Sequence, residues 1–223
     1  MIVNELEEQG YQIIKDVYSK EEIARIKDQL DIDEVGNSFG VRELFMKSPE
    51  LKRLVFKDEL RNLTRVSSKT KAVRSLYFDK PPRQNWIVNW HQDLTINVDR
   101  RAEIEGYKNW RVQEDRVTVQ PPVDCLNRMI TARIHLDDCD LTNGALRVVP
   151  RSHCEGVIDV KKLNFEELNL QEEICELKVG DVLLMKPLIL HRSKRSSNEK
   201  RRRVIHVEFS DWELPSIIRW KEL

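Results

Sequence analysis

This sequence predicts a mainly β domain of the sandwich or barrel type, with helices gathered at its amino-terminal end. Three observations carry that prediction. From about residue 72, short apolar runs recur between turn signals, the pattern of many short strands. Two of these runs, 129–136 and 202–209, alternate between two sets of side chains, as strands do. Before residue 65 the apolar positions instead fall at helical spacing.

Length and charge set the bounds. A chain of 223 residues fits one domain, 1–223, and buries roughly 70% of the surface its unfolded form exposes. Within it, 1–70 reads as helical support and 71–210 as the β core. The 38 basic and 38 acidic side chains cancel, so nothing draws the chain generally to nucleic acid or to an anionic membrane. The acidic start lacks the apolar run of a secretory signal, and no stretch approaches membrane-spanning length. Cys125, Cys139, Cys154 and Cys175 form no Cys-x-x-Cys pair. They read as reduced thiols of a cytoplasmic protein. His153 and Cys154 are adjacent metal-ligand types, but no second pair completes a zinc site. Oligomeric state leaves no signal.

The elements follow in order. Residues 1–10 form a short polar helix ended by Gly10, and 11–14 a short strand. Ser19 with Glu22 is a capping box. It opens a helix over 20–30 whose apolar face is Ile23, Ile26 and Leu30. Ser48-Pro49 starts another. Strands are expected at 73–78, stopped by Pro81-Pro82, and at 87–95. Residues 96–125 are polar and charged and read as an irregular segment. Loops that long are usually functional or disordered, and its position makes it a substrate-covering insertion. In the strand at 129–136, Ile130, Ala132, Ile134 and Leu136 face one way and Met129, Thr131, Arg133 and His135 the other. Asn143-Gly144 marks a turn before a strand at 145–149. A short helix is expected at 165–170. Residues 176–185 read as a hairpin through Gly180-Asp181. In the last strand Arg202, Val204, His206 and Glu208 oppose Arg203, Ile205, Val207 and Phe209. The apolar faces would pack on the helices, and the polar faces would line an interior that only a ligand pocket tolerates.

The chemistry centres on Trp90-His91-Gln92-Asp93. In a strand, residues two apart share a face, so His91 and Asp93 aim at one point. His191 is the candidate third ligand. Two histidines and one carboxylate leave open positions on a metal, the arrangement of non-haem Fe(II) oxygenases.

Several further segments resemble one family. They are Asp79-Lys80-Pro81-Pro82, Leu136-Asp137-Asp138, Asn143-Gly144-Ala145-Leu146-Arg147-Val148-Val149-Pro150, Ser152-His153, Gly180-Asp181 and His191-x-Ser193 followed by Arg202. With His91-Gln92-Asp93 they stand in the order found in the phytanoyl-CoA dioxygenase family of Fe(II)- and 2-oxoglutarate-dependent oxygenases. The resemblance implies a double-stranded β-helix, or jelly roll, with the amino-terminal helices packed on one sheet. It implies iron held by His91, Asp93 and His191, with 2-oxoglutarate and O2 as cosubstrates. Arg202 and Ser193 would take the distal carboxylate, a planar fork and a neutral donor suited to it. Gln92 and Leu76 would lie beside the cosubstrate. The implied reaction hydroxylates an unactivated C–H bond of a small molecule and releases succinate and CO2. Desaturation and ring closure share the same start, whereas halogenases of this type lack the carboxylate that Asp93 supplies.

Two departures from the pattern stand out. The usual Pro-Gly-Ser-His reads Pro150-Arg151-Ser152-His153, so a locally altered loop is expected. A tryptophan position is Arg133, on the inward face with Thr131 and His135. These three are the candidate substrate contacts. Arg133 points to an acidic substrate or a second contact to 2-oxoglutarate, with an ion pair to Glu208 as the plainer alternative. His135 and His206 read equally as pocket lining or as satisfied core groups. The basic run from Arg192 to Arg203 is either a solvated loop or an attraction for a phosphate-bearing substrate such as a CoA ester. Two other functions remain open: a metal-binding jelly-roll protein without turnover, and a cupin-type enzyme that needs no 2-oxoglutarate. The second would have no use for Ser193 and Arg202.

Overall fold

Helix α1 (Ile2–Gln9) stops where Gly10 takes a left-handed conformation, φ 81°. Strand β1 (Tyr11–Ile14) follows, then α2 (Lys20–Ile32). Ser19 caps α2 in both directions. Its hydroxyl accepts from the Glu22 amide at 3.2 Å, and the Glu22 carboxylate accepts from the Ser19 amide at 2.7 Å. Strand β2 (Gly40–Arg42) and helices α3 (Leu44–Lys47), α4 (Pro49–Val55) and α5 (Asp58–Leu63) complete this region. The computed structural model describes residues 2–81, 86–114, 116–164 and 170–223, apart from the side chains of 2–4 and 37. Residues 165–169 of the helix expected at 165–170, and Pro82 of the expected stop, fall outside the described residues.

The β region runs β3 (Lys71–Lys80), β4 (Val88–His91), β5 (Ile96–Val98), β6 (Lys108–Gln113), β7 (Arg116–Gln120), α6 (Val123–Asn127), β8 (Met129–His135), β9 (Leu146–Val148), β10 (Glu173–Cys175), β11 (Val182–Met185), β12 (His191–Ser193) and β13 (Arg202–Ser210). One sheet has six strands in the order β1-β11-β8-β13-β3-β2, and a second has four in the order β10-β9-β12-β4. The pairings are antiparallel. From β3 onward the core strands pass back and forth between these two sheets, with β1 and β2 added at the edges of the larger one. That interleaving is a double-stranded β-helix. It is a pair of facing sheets, not a closed barrel.

Burial decides which face goes where. Ile130, Ala132, Ile134, Ile205, Val207 and Phe209 pack against Ile23, Ile26, Leu30, Leu51 and Leu60 from the helices. Each of these side chains larger than Ala132 contributes roughly 1.5–3 kcal/mol on leaving water. The opposite face of β8 and β13 turns toward the four-stranded sheet, as the alternation requires.

Two expectations need correction. Residues 96–125 are not irregular: β5, β7 and β6 form a three-stranded antiparallel sheet of their own. Ile96, Val98, Tyr107, Val119 and Leu126 bury against Val73, Met129, Ile218 and Trp220. Residues 176–185 are not a hairpin. Strand β10 pairs with β9 in the smaller sheet, whereas β11 pairs with β1 and β8 in the larger. The turn at Gly180 therefore carries the chain between sheets. Gly180 has φ 91°, and a Cβ there would lie 2.2 Å from the Tyr18 carbonyl oxygen, so only glycine fits.

Candidate metal and cosubstrate site

Strand pairing brings the candidate ligands together. His91 ends β4 and His191 begins β12, and the two are register partners. Their ring centroids lie 4.1 Å apart. Asp93 lies past the end of β4, in a segment held by its amide, which donates to the Pro187 carbonyl at 2.9 Å. The shared-face argument for His91 and Asp93 thus rests on an extended segment beyond the strand proper.

Each imidazole is oriented from behind. The Asn89 carbonyl lies 2.8 Å from His91 Nδ1, and the Ile189 carbonyl lies 2.9 Å from His191 Nδ1. A proton on Nδ1 in both rings leaves the Nε2 lone pairs facing Asp93, at 3.9 and 3.8 Å from its oxygens. This backing fixes the tautomer a metal needs. Burial works against an ionised Asp93, but His191, His206, His91 and Arg74 outweigh it and hold the carboxyl down at about 2. Burial likewise pushes His191 down to about 4 against the pull of Asp93, so it offers a neutral nitrogen. One ligand atom from each residue falls within 4.8 Å of the others. Among the described residues this is the one such group of three, and the donor set suits Fe(II). His153 instead faces the Glu7 carbonyl, 3.0 Å from its Nε2.

The triad opens into a cavity of about 260 Å³ between the two sheets. Ser193, Arg202 and Leu76 line it, as does Arg133. Arg202 is buried and its Nε has no partner among the described residues. Its neighbours in sequence face the other way. Arg201 pairs with Asp79 and Arg203 with Asp137. Arg192 pairs with Glu172 and lies 4.6 Å from the Trp90 ring centroid. The basic run is thus largely ion-paired, which favours the plainer reading over an attraction for phosphate.

Gln92 is not among the residues that line the cavity. Its Nε2 donates to the carbonyls of Leu188 (2.6 Å) and Gly156 (2.8 Å), and its Oε1 accepts from the Ile158 amide (2.8 Å). It ties two loops to the metal strand. Thr131 and His135 are buried on the inward face but do not line the cavity. Arg133 makes no ion pair with Glu208. It contacts His206 Nδ1 at 3.0 Å, while Glu208 pairs with Arg74. None of the described lining residues comes from 96–125.

Sequence reasoning missed Lys80, Phe78 and Arg74 as lining residues. Lys80 had a signal, since strand alternation puts it on the face that carries Leu76 and Phe78.

Solved structures share this fold. The carbocyclase SnoK from nogalamycin biosynthesis, described as non-heme and alpha ketoglutarate dependent, matches 99% of this chain and 85% of its own at TM-score 0.67 and 16% identity. The epimerase SnoN in complex with Fe3+, alpha ketoglutarate and nogalamycin RO matches 94% of this chain and 82% of its own, at 0.72 and 13%. HygX from Streptomyces hygroscopicus, with nickel and 2-oxoglutarate bound, matches 93% and 87%, at 0.66 and 15%. No curated protein sequence matches the chain. The family model for phytanoyl-CoA dioxygenase (PhyH) matches residues 6–204. With nearly the whole chain inside that match, the protein belongs to the phytanoyl-CoA dioxygenase family, whose members use Fe(II) and 2-oxoglutarate.

Proposed function

We propose that this protein is an Fe(II)- and 2-oxoglutarate-dependent oxygenase that hydroxylates an unactivated C–H bond of a small organic substrate, releasing succinate and CO2. The observation that carries the reading is a single cavity holding the His91, Asp93 and His191 donor set together with Arg202 and Ser193. Iron, when held there, supplies the open coordination positions and the electrons that let O2 react with the keto acid.

The chain's own residues do the rest. His91 and His191 present their Nε2 atoms, and Asp93 stays ionised. Arg202 offers a planar fork to the distal carboxylate and Ser193 adds a hydroxyl. Leu76, Phe78 and Leu146 give the cavity apolar wall, which limits water around the reacting centre. Hydroxylation is favoured because Asp93 completes the donor set and leaves no protein vacancy for a halide. A carbocyclase and an epimerase share the fold, so product analysis decides the outcome of the C–H step.

The four cysteines are free, which supports a reducing, cytoplasmic setting. Among the described residues no helix is long and apolar enough to cross a membrane.

The test is anaerobic titration of the apo-protein with Fe(II) and then 2-oxoglutarate, watching the weak visible charge-transfer band of the chelate. The band should form in the wild type, fail in Asp93→Ala and need far more 2-oxoglutarate in Arg202→Ala. Iron binding without a band sinks the 2-oxoglutarate reading in favour of a cupin-type enzyme. No iron binding makes the triad structural.

A further inference from the structure

The cavity carries more fixed positive charge than one keto acid uses. Arg74, Lys80, Arg133 and Arg202 line it against two carboxylates, Asp93 and Glu208. Arg74 and Glu208 pair at 3.0 Å, and Asp93 belongs to the metal. Fe(II) and 2-oxoglutarate cancel each other's charge. Lys80, Arg133 and Arg202, set against Asp93, then leave a surplus of two positive charges. Arg202 serves the cosubstrate, so the surplus falls to Lys80 and Arg133.

Neither has a carboxylate partner among the described residues. Lys80 is 2% exposed. Its Nζ donates to the Lys194 carbonyl at 2.8 Å and lies 5.6 Å from the Trp86 ring centroid. Burial and the neighbouring Arg202 push it down to about 8. Burial and Arg202 also push Arg133 down, to about 10. Buried cations left this way are costly unless an anion joins them.

Arg133 is also aimed. A guanidinium can only donate, so His206 Nδ1 accepts from Arg133 Nη1 at 3.0 Å. The ring proton then sits on Nε2, 3.3 Å from Glu208 Oε1, and the same oxygen accepts from Arg74 Nη1 at 3.0 Å. This chain of contacts pins one edge of the guanidinium, and Nε remains unpartnered. A residue serving only as packing needs no such support.

We infer that Arg133, held by His206 and Glu208, acts with Lys80 as a receptor for a second anionic group, so that the primary substrate is an organic anion bearing a carboxylate or phosphate. This inference rests on the 2-oxoglutarate reading above, with Arg202 and Ser193 committed to the cosubstrate.

The experiment uses protein loaded with Mn(II), which holds the site without turnover, and saturated with 2-oxoglutarate. Calorimetric titrations then compare butyrate, inorganic phosphate and the neutral butyramide. Butyrate or phosphate should bind at least tenfold more tightly than butyramide, and the better of the two names the anion. Arg133→Gln and Lys80→Met should each weaken that binding tenfold or more, with unfolding temperatures checking that both variants fold. Equal binding of the anions and butyramide overturns the inference. So does a tenfold loss of 2-oxoglutarate affinity in Arg133→Gln, which would make Arg133 a second arm on the cosubstrate. Failure of the underlying function shows earlier and separately, as a wild-type protein that does not take up 2-oxoglutarate before any probe is added.

Discussion

Gln92 holds the turn that leads into His191: its side-chain amide donates to the Leu188 carbonyl at 2.6 Å, three residues ahead of that candidate ligand. The same amide also spans to Gly156 and Ile158. Removing it leaves three backbone groups without their partner, each a cost of about 1–3 kcal/mol where water cannot replace it. Gln92→Ala should keep the fold, lower the unfolding temperature and weaken Fe(II) binding about tenfold, the lower end for loss of a supporting contact behind a ligand. Metal titration against unchanged far-ultraviolet circular dichroism checks this.

Arg151 stands where the family pattern has glycine, and its φ is 66°. A side chain thus occupies a left-handed backbone position, and the arginine carries the strain. That conformation costs a side-chain-bearing residue roughly 1–2 kcal/mol. Arg151→Gly should stabilise the protein by up to about 1 kcal/mol after the extra chain entropy of glycine is subtracted. An unchanged or lower urea midpoint would contradict this.

Three consecutive arginines at 201–203 have separate duties. Arg203 donates to Asp137 through Nε and Nη2, each at 2.8 Å, in a largely buried pair. Arg203→Ala should cost about 2 kcal/mol of stability, the scale of hydrogen bonds to a charged group, while the chelate band still forms. Arg202→Ala should show the reverse, with a small stability change and lost 2-oxoglutarate affinity. Urea unfolding and cosubstrate titration on both variants separate the two.

His135 is buried with neither ring nitrogen partnered among the described residues. Burial, then Arg133 and Arg202, hold it well below the ordinary value of 6.5. The folded chain rejects a proton that the unfolded chain accepts. The resulting stability is complete above pH 6.5 and is lost as pH falls below it, by at most about 1.4 kcal/mol per pH unit. His191, lowered to about 4 by burial, adds a loss of the same sign in metal-free protein. His135→Phe should make the urea midpoint of the metal-free protein less sensitive between pH 6.5 and 5. An unchanged slope would remove His135 as a cause.

Much of this architecture was readable before the structure, for definite reasons. The alternation in β8 and β13 is clear because one face meets the helices and the other meets polar company. The cap at Ser19 is a local hydrogen-bond pattern that needs no tertiary context. The three candidate ligands meet because β4 and β12 are neighbours; the order of family motifs had implied the meeting but not which strands pair. Other parts were hidden. Strand β6 is largely exposed, so hydrophobic alternation cannot reveal it. The split between β10 and β11 depends on which sheet each joins, and a glycine turn does not encode that. The partners of the Gln92 side chain are backbone groups distant in sequence, which a motif does not encode. Lys80 resembled an ordinary charged strand end until its burial against Trp86 was seen.

The order of strands in the larger sheet has a consequence for synthesis. β13 lies between β3 and β8, yet of these three it is the last to leave the ribosome. Until it does, two long strands wait with their facing edges unpaired, the condition that invites wrong partners. His191 and Arg202 emerge near that same point. The growing chain therefore cannot close its sheet or bring Arg202 beside the candidate metal ligands until β13 has been made.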